Sequence, residues 1–280
     1  MSEKPLSYYK KRGHYNPLEA ERLGVPLRVS KSSFMQYLWC PRQFWWKYVM
    51  LPDVRPPPTE AMLRGTEVHD ALDAMYDSWQ VGEQIAFPPH DDPAYDTIVE
   101  LENERLKVWG DEYFSPIEHE VHHEVYDPEH NIVMVGRMDA LYRHPDGGLV
   151  IGELKTGNMG DSKLSKTRKE LCFYMRMLKL MGIEGEVTHF LYITPDCDNA
   201  TFVQKILDKK NPPQTFMGLS QGLSILEPVS KRSINAFTKS LRVAIDGLRG
   251  QEWPMKWNDF TCPQWCDFAV SCDNERLGIE

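Results

Sequence analysis

Three cysteines near the C-terminus, Cys262, Cys266 and Cys272, stand in a C-x3-C-x5-C run, and a fourth, Cys40, lies more than 200 residues earlier in WCPRQF. Thiolates gathered in this way bind soft metals, and four of them suit either tetrahedral zinc or an iron–sulfur cluster. A fold that satisfies such a set must bring the two ends of the chain together. A disulfide framework is not expected in a chain of 280 residues with no secretion signal. Cys172 and Cys197 fall outside the pattern and read as packing residues. Six of the eight tryptophans, at positions 39, 45, 46, 253, 257 and 265, flank the four cysteines and are expected to keep water away from a metal group.

The remaining composition is that of a globular protein, with 41% hydrophobic and 26% charged residues. No apolar stretch reaches the ~20 residues of a membrane span. The N-terminus MSEKPLSYYKKRGHYNP has basic residues but no apolar run behind them. The expectation is an intracellular, cytoplasmic protein that is neither secreted nor membrane-bound. A net charge of −9 argues against a protein that coats nucleic acid, but not against a site built of carboxylates. There is no repeat at a solenoid period and no G-x-x-x-x-G-K-[ST] phosphate loop, so a fused motor is not expected.

Residues 1–28 read as a polar arm. Ser32 or Ser33 is expected to cap a helix over 34–50, ended by the stiff LPDVRPPP segment at Leu51–Pro58. A second helix is predicted over Ala61–Trp79, with Val68, Leu72, Met75 and Trp79 on one stripe and His69 beside it. A third is predicted over Tyr95–Trp109. The period then changes to two, which predicts strands at Glu118–Val125, Ile132–Tyr142 and Leu149–Lys155, the last two joined by the turn His144-Pro-Asp-Gly-Gly148. A helix at Lys163–Met181, a strand at Glu186–Ile193, an irregular stretch at 195–216 and a helix at Ser230–Arg249 follow. The aromatic, cysteine-rich tail has no periodicity.

In a strand, residues two apart share a face, so Glu153 and Lys155 in GELKTG point together while Leu154 turns the other way. Pairing through Asp146-Gly-Gly148 lays Asp139 of GRMDALY beside Glu153. Two carboxylates then come within reach of one divalent cation, and oxygen ligands suit Mg²⁺ or Mn²⁺. Such an ion polarises a phosphate and yields hydroxide from water, while Lys155 positions the nucleophile or stabilises the charge of a phosphorane-like transition state. The chemistry these groups favour is hydrolysis.

G-x-x-D followed in the next strand by E-x-K-T-G resembles the core of the PD-(D/E)XK nucleases, in particular the RecB-type branch. The resemblance implies an α/β, restriction-endonuclease-like core with a mixed central sheet flanked by helices. It implies that Asp139, Glu153 and the backbone carbonyl of Leu154 bind metal and that Lys155 is catalytic, with Met138 standing where the usual proline would be. RGTEVHDAL is similar to the segment in which a helical histidine completes the metal shell, here His69. Gly65, one turn earlier, would let another backbone approach. The family's Q-x-x-x-Y helix is matched by Glu170 and Tyr174 in KELCFYMRML. These two become candidate substrate contacts, or in the case of Glu170 a contact of Lys155. The same helix carries Lys163, Lys166, Arg168, Lys169, Arg176 and Lys179, able to bind phosphates or to serve as a solvated face.

From Ser33-x-x-x-Tyr37-x-x-Cys40-Pro41 to Cys272 the cysteines resemble the clasp of AddB-type nucleases, exonuclease V and CRISPR-associated adaptation nucleases. In those proteins one cysteine before the core and three after it hold a 4Fe–4S cluster. The resemblance thus implies Cys40, Cys262, Cys266 and Cys272 as cluster ligands. It also implies a division into an arm (1–28), a nuclease core with N-terminal helices (29–250) and a cysteine-rich clasp (251–280) completed by Cys40. The expected function is metal-dependent DNA hydrolysis, exonucleolytic on single-stranded DNA or DNA ends, in recombination, repair or end processing. The rival readings are a CRISPR-adaptation nuclease working with an integrase, and a cluster-bearing DNA-binding or scaffold subunit. A separate helicase is a further expected partner.

Overall fold

The computed structural model describes residues 4–50, 57–219 and 221–279, so most of the expected Leu51–Pro58 linker lies outside the described residues. Among the described residues the strands are β1 Leu27–Ser30, β2 Glu118–Asp127, β3 Ile132–Arg143, β4 Leu149–Leu154, β5 Val187–Thr194, β6 Gln214–Met217 and β7 Leu223–Pro228. The chain divides into two compact units, one of Met1–Pro57, Glu124–Gly136 and Asn235–Glu280, the other of Pro58–His123 and Arg137–Ile234.

In the second unit the far half of β3 pairs antiparallel with β4, with Ala140 opposite Gly152 and Arg143 opposite Leu149. The turn between them closes as the sequence implies, His144 N–H donating to Gly148 O at 3.0 Å. β4 pairs parallel with β5, β5 antiparallel with β7, and β7 antiparallel with β6. The result is an α/β architecture with a mixed sheet flanked by helices. Every residue of β4 is buried, as expected for an inner strand whose residues read as a nearly continuous apolar run.

Helix Glu60–Ser78 begins at Thr59, whose hydroxyl accepts from Met62 N–H, and turns Val68, Leu72, Met75 and Tyr76 inward. Helix Pro93–Trp109 starts on Asp92, with proline at the first helical position where no N–H is needed. These faces join Tyr142, Val150, Leu154, Leu191 and Ile193 in one core cluster. Within it Arg105 is fully buried, 2.5 Å from Glu102 Oε2, and donates to Phe114 O at 2.9 Å. Tyr142 meets the Tyr76 hydroxyl at 2.8 Å, which completes the network. Gly152 in β4 is fixed by this packing, because a Cβ there would lie 2.8 Å from Tyr142 Cε2.

The stretch 195–216, expected to be irregular, contains helix Ala200–Leu207, capped by Asn199, and strand β6. Helix Asp161–Met181 and helix Lys231–Arg249 fall close to where periodicity placed them. No helix among the described residues is long and apolar enough to cross a membrane.

In the first unit β1 runs parallel to the near half of β3, with Leu27 opposite Ile132 and Ser30 opposite Val135. Residues 4–26, read as an arm, form helices Leu6–Arg12 and Pro17–Leu23 and bury Ala20 and Val25. Ser30, not Ser32 or Ser33, caps the next helix, Lys31–Trp39. Its hydroxyl accepts from Ser33 N–H while Ser33 Oγ accepts from Ser30 N–H, a reciprocal capping box. The single helix expected over 34–50 is interrupted at Cys40, which is extended at φ −152° and ψ 110°. The cause is Pro41, whose ring disfavours helical backbone in the residue before it. A short helix, Pro41–Trp45, and a π-helical turn, Trp46–Met50, follow.

Tyr37 of the same motif donates to Glu252 O at 3.0 Å and lies against Gly247, where a Cβ would come within 2.0 Å of its hydroxyl. The tail forms helices Thr261–Trp265 and Ala269–Leu277.

Candidate functional site

Asp139 precedes Ala140, the first β3 residue paired with β4, and its Oδ2 accepts a hydrogen bond from Leu154 N–H at 2.9 Å. The Asp139 carboxylate thus meets the backbone of β4, and Asp139 and Glu153 line one cleft. Lys155 is anchored by its own N–H on Ile193 O at 2.9 Å, and its Nζ donates to Glu153 Oε1 at 2.5 Å. Nζ also lies 3.0 Å from Glu170 Oε2, so the helix residue at the family's glutamine position meets the lysine directly. Glu153 and Glu170 are both buried. Tyr174, one turn on, is buried as well, and its hydroxyl donates to the carbonyl of Arg137. It therefore reaches the site through the backbone of β3.

His69 projects from its helix so that Nδ1 lies 3.4 Å from Glu120 Oε1 and 3.6 Å from Asp139 Oδ2. The donor atoms of His69, Glu120 and Asp139 all lie within 4.8 Å of one another. Burial disfavours the charged imidazole, but the Glu120 hydrogen bond and the charges of Asp139, Glu120 and Glu153 outweigh it and raise the His69 pKa. One nitrogen and several carboxylate oxygens form a donor set that fits a hard divalent cation such as Mg²⁺ or Mn²⁺.

Sequence reasoning missed Glu120. It lies on β2 at φ +52°, a left-handed conformation that is uncommon outside glycine and costs a non-glycine residue about 1–3 kcal/mol. Arg137 lies 2.6 Å from Glu120 Oε2 and donates from Nε to the Glu120 carbonyl at 2.9 Å. His119 and Asp73, also missed, pair with each other and line the same cleft as His69, Asp139 and Glu153.

The Thr156-Gly157 turn after Lys155 is held from two sides. Asp196 accepts from Gly157 N–H at 2.5 Å, and Arg64 bridges Asp196 and Asp92 at 2.7 and 2.5 Å. The guanidinium holds both carboxyl groups below their usual range. Lys163 donates to the carbonyls of Thr156 and Gly157 at 2.7 and 2.9 Å. Burial, helped by the nearby Lys155 charge, lowers its pKa. Arg168 pairs with Glu227 at 2.6 Å. Two of the six cations on this helix thus serve the fold. Gly65 meets Thr156 Oγ1, 3.2 Å from where a Cβ would stand, so its close neighbour is a side chain and not a backbone.

In the first unit Cys40, Cys262, Cys266 and Cys272 line one cavity of about 290 Å³ with Trp39, Trp257 and Trp265. Burial, opposed by a backbone hydrogen bond and reinforced by the other three cysteines, pushes the Cys266 thiol up to about 11. The expected dry tryptophan shell is only partial, because Trp39 and Trp265 are 62% and 76% exposed. Cys172 and Cys197 are buried elsewhere, and burial pushes Cys172 up to about 12.

The fold and the site define a class, an α/β protein whose neighbouring strands carry two carboxylates and a lysine. The chain belongs to the PD-(D/E)XK nuclease superfamily, whose model matches residues 28–273. By that membership it is a metal-dependent nuclease. No curated protein sequence matches it. Among solved structures it is similar to SSO0001, at 18% identity over 95% of this chain and 94% of that one, with a TM-score of 0.43. It is also similar to LHK-Exo in complex with dAMP, at 11% identity over 80% and 89% and a TM-score of 0.40. A phage-related exonuclease from Haemophilus somnus 129PT follows at 11% identity over 81% and 95%, with a TM-score of 0.32. These superpositions are loose, and the assignment rests on the family match.

Proposed function

We propose that the chain is a RecB-type, divalent-metal-dependent deoxyribonuclease that acts as an exonuclease on single-stranded DNA or DNA ends in recombination, repair or end processing. The observation that carries this reading is the convergence of His69 and Asp139 beside the Glu153–Lys155 pair. In this reading His69, Asp139, Glu153 and the carbonyl of Leu154 hold Mg²⁺ or Mn²⁺. The bound cation supplies Lewis-acid polarisation of the scissile phosphate and acidifies water. Asp139 is oriented by the Leu154 N–H, and Glu153 and Glu170 pair with Lys155 and hold its Nζ beside the reacting phosphate. Lys155 Nζ positions the nucleophile and donates to the charge that develops on the phosphate oxygens.

The four cysteines are assigned a 4Fe–4S cluster. The gathering of four soft donors around one cavity, with one cysteine before the core and three after it, supports this assignment. Joining residue 40 to residues 262–272 through metal bonds restricts the unfolded chain, so the cluster's role is to close the fold. The test is digestion of end-labelled single- and double-stranded linear DNA with Mg²⁺ or Mn²⁺, with and without chelator. Loss of label from ends only, abolished by chelator, is expected. Intact DNA under all conditions would refute the reading.

A further inference from the structure

The nuclease reading leaves Glu120 and Arg137 without a role, although Glu120 lines the cleft and Arg137 pairs with it. Four carboxylates gather there, Glu120, Asp139, Glu153 and Glu170, with Arg137 and Lys155 among their cationic partners. Asp73 is already engaged by His119. The two oxygens of Glu120 are also divided. Oε1 faces His69 at 3.4 Å within the same 4.8 Å set as Asp139, and Oε2 faces Arg137 at 2.6 Å. A ligating carboxylate is commonly held in this way, one oxygen toward the ion and the other toward a fixed partner, here the Arg137 guanidinium as an ion pair, whose Nε–H itself donates to the Glu120 carbonyl.

Arg137 is tied at both ends of its residue. Its carbonyl accepts from Tyr174 and its Nε donates to the Glu120 carbonyl, while its side chain is 60% exposed. A guanidinium donates from a rigid planar fork, so fixing Nε on Glu120 also fixes the direction of the two Nη groups.

We propose that Glu120 is a further metal ligand through Oε1, and that Arg137 orients it through Nε while its Nη groups grip a non-bridging oxygen of the DNA phosphate. This rests on the metal-dependent nuclease reading and deepens it, because one side chain then couples cation occupancy to the seating of the phosphate. The approach of a carboxylate to His69 and Asp139 also explains why a non-glycine residue is kept at φ +52° on β2.

The test is Mn²⁺ binding without DNA, followed by the electron paramagnetic resonance signal of the free ion, for wild type, Asp139→Asn, Glu120→Gln and Arg137→Lys. Glu120→Gln keeps the length and a carbonyl acceptor, and thermal melting confirms that each variant is folded. The Mn²⁺ Kd is expected to rise at least about tenfold in Glu120→Gln. Arg137→Lys keeps the charge but removes both the Nε that orients Glu120 and the fork, so its Mn²⁺ Kd should rise, though by less than in Glu120→Gln, while KM for DNA rises about tenfold. Wild-type Mn²⁺ affinity in folded Glu120→Gln, with binding lost in Asp139→Asn, overturns the proposal and leaves the nuclease reading standing. Unchanged KM in Arg137→Lys overturns the phosphate contact. Absence of Mn²⁺ binding in the wild type overturns both the proposal and the reading beneath it.

Discussion

Glu170 Oε2 lies 3.0 Å from Lys155 Nζ, joining a residue of helix Asp161–Met181 to the lysine that follows β4. Lys155 thus serves two buried carboxylates, Glu153 and Glu170. Removing the shared cation as Lys155→Ala strips both, and breaking a buried ion pair from one side costs about 3–5 kcal/mol. Losing one transition-state donor costs on the order of 10²–10³ in rate. Glu170→Gln leaves Glu153 to hold the lysine and should slow cleavage by less than about tenfold. Urea unfolding and single-turnover cleavage of the two variants check this, and equal losses in both would contradict it.

Gly152 carries no left-handed strain, yet its Cβ would stand 2.8 Å from Tyr142, a fully buried ring tied to Tyr76. Gly152→Ala is therefore an overpacking change that should cost about 1–3 kcal/mol. It should also lower cleavage, because Glu153 is the next residue on the strand. A denaturation midpoint equal to that of wild type would show that Tyr142 moves freely.

Arg64 holds the carboxyls of Asp92 and Asp196 below their ordinary value of 3.8. A carboxylate with a depressed pKa stabilises the fold above its unfolded pKa, and that stability is lost as pH falls through the folded value. Arg64→Ala should accordingly be less stable than wild type at neutral pH, and the gap should close as pH falls below about 4. Melting temperatures across pH 2–7 measure it. A gap independent of pH would mean that Arg64 acts through packing alone.

Anaerobically purified protein should carry about four iron and four sulfide per chain, as one 4Fe–4S cluster requires. Cys266→Ser should lose the iron and lower the melting temperature. Cys172→Ser should keep the iron, because that thiol is buried outside the cavity of the other four. One zinc and no iron would overturn the cluster assignment.

The hairpin carrying Asp139, Glu153 and Lys155 was legible because a two-residue period, a Gly-Gly turn and a short motif agreed on one register. Glu120 was not. Strand β2 reads Glu118-His-Glu-Val-His-His-Glu, polar on both faces, so alternation singles out no residue, and the φ of +52° that turns Glu120 to its place is a tertiary property. The break at Cys40 was written in Pro41 but overridden by the apolar spacing around it. Strand β7 escaped because Leu223, Ser224, Ile225 and Leu226 are all buried, which removes the alternation that would mark a strand. Ser33 and Tyr37 stood out in the sequence beside Cys40, but Ser33 serves as the local N3 partner of the cap Ser30, and the contact of Tyr37 with Gly247 and Glu252 spans more than 200 residues of sequence.

The most direct test of the metal-dependent nuclease reading is single-turnover cleavage of end-labelled linear DNA in Mn²⁺ by folded Lys155→Ala whose Mn²⁺ affinity matches wild type. The expected result is cleavage reduced on the order of 10²-fold or more while the bound metal is unchanged. Cleavage by this variant at the wild-type rate would contradict the assignment of the chemistry to Lys155 and its neighbouring carboxylates.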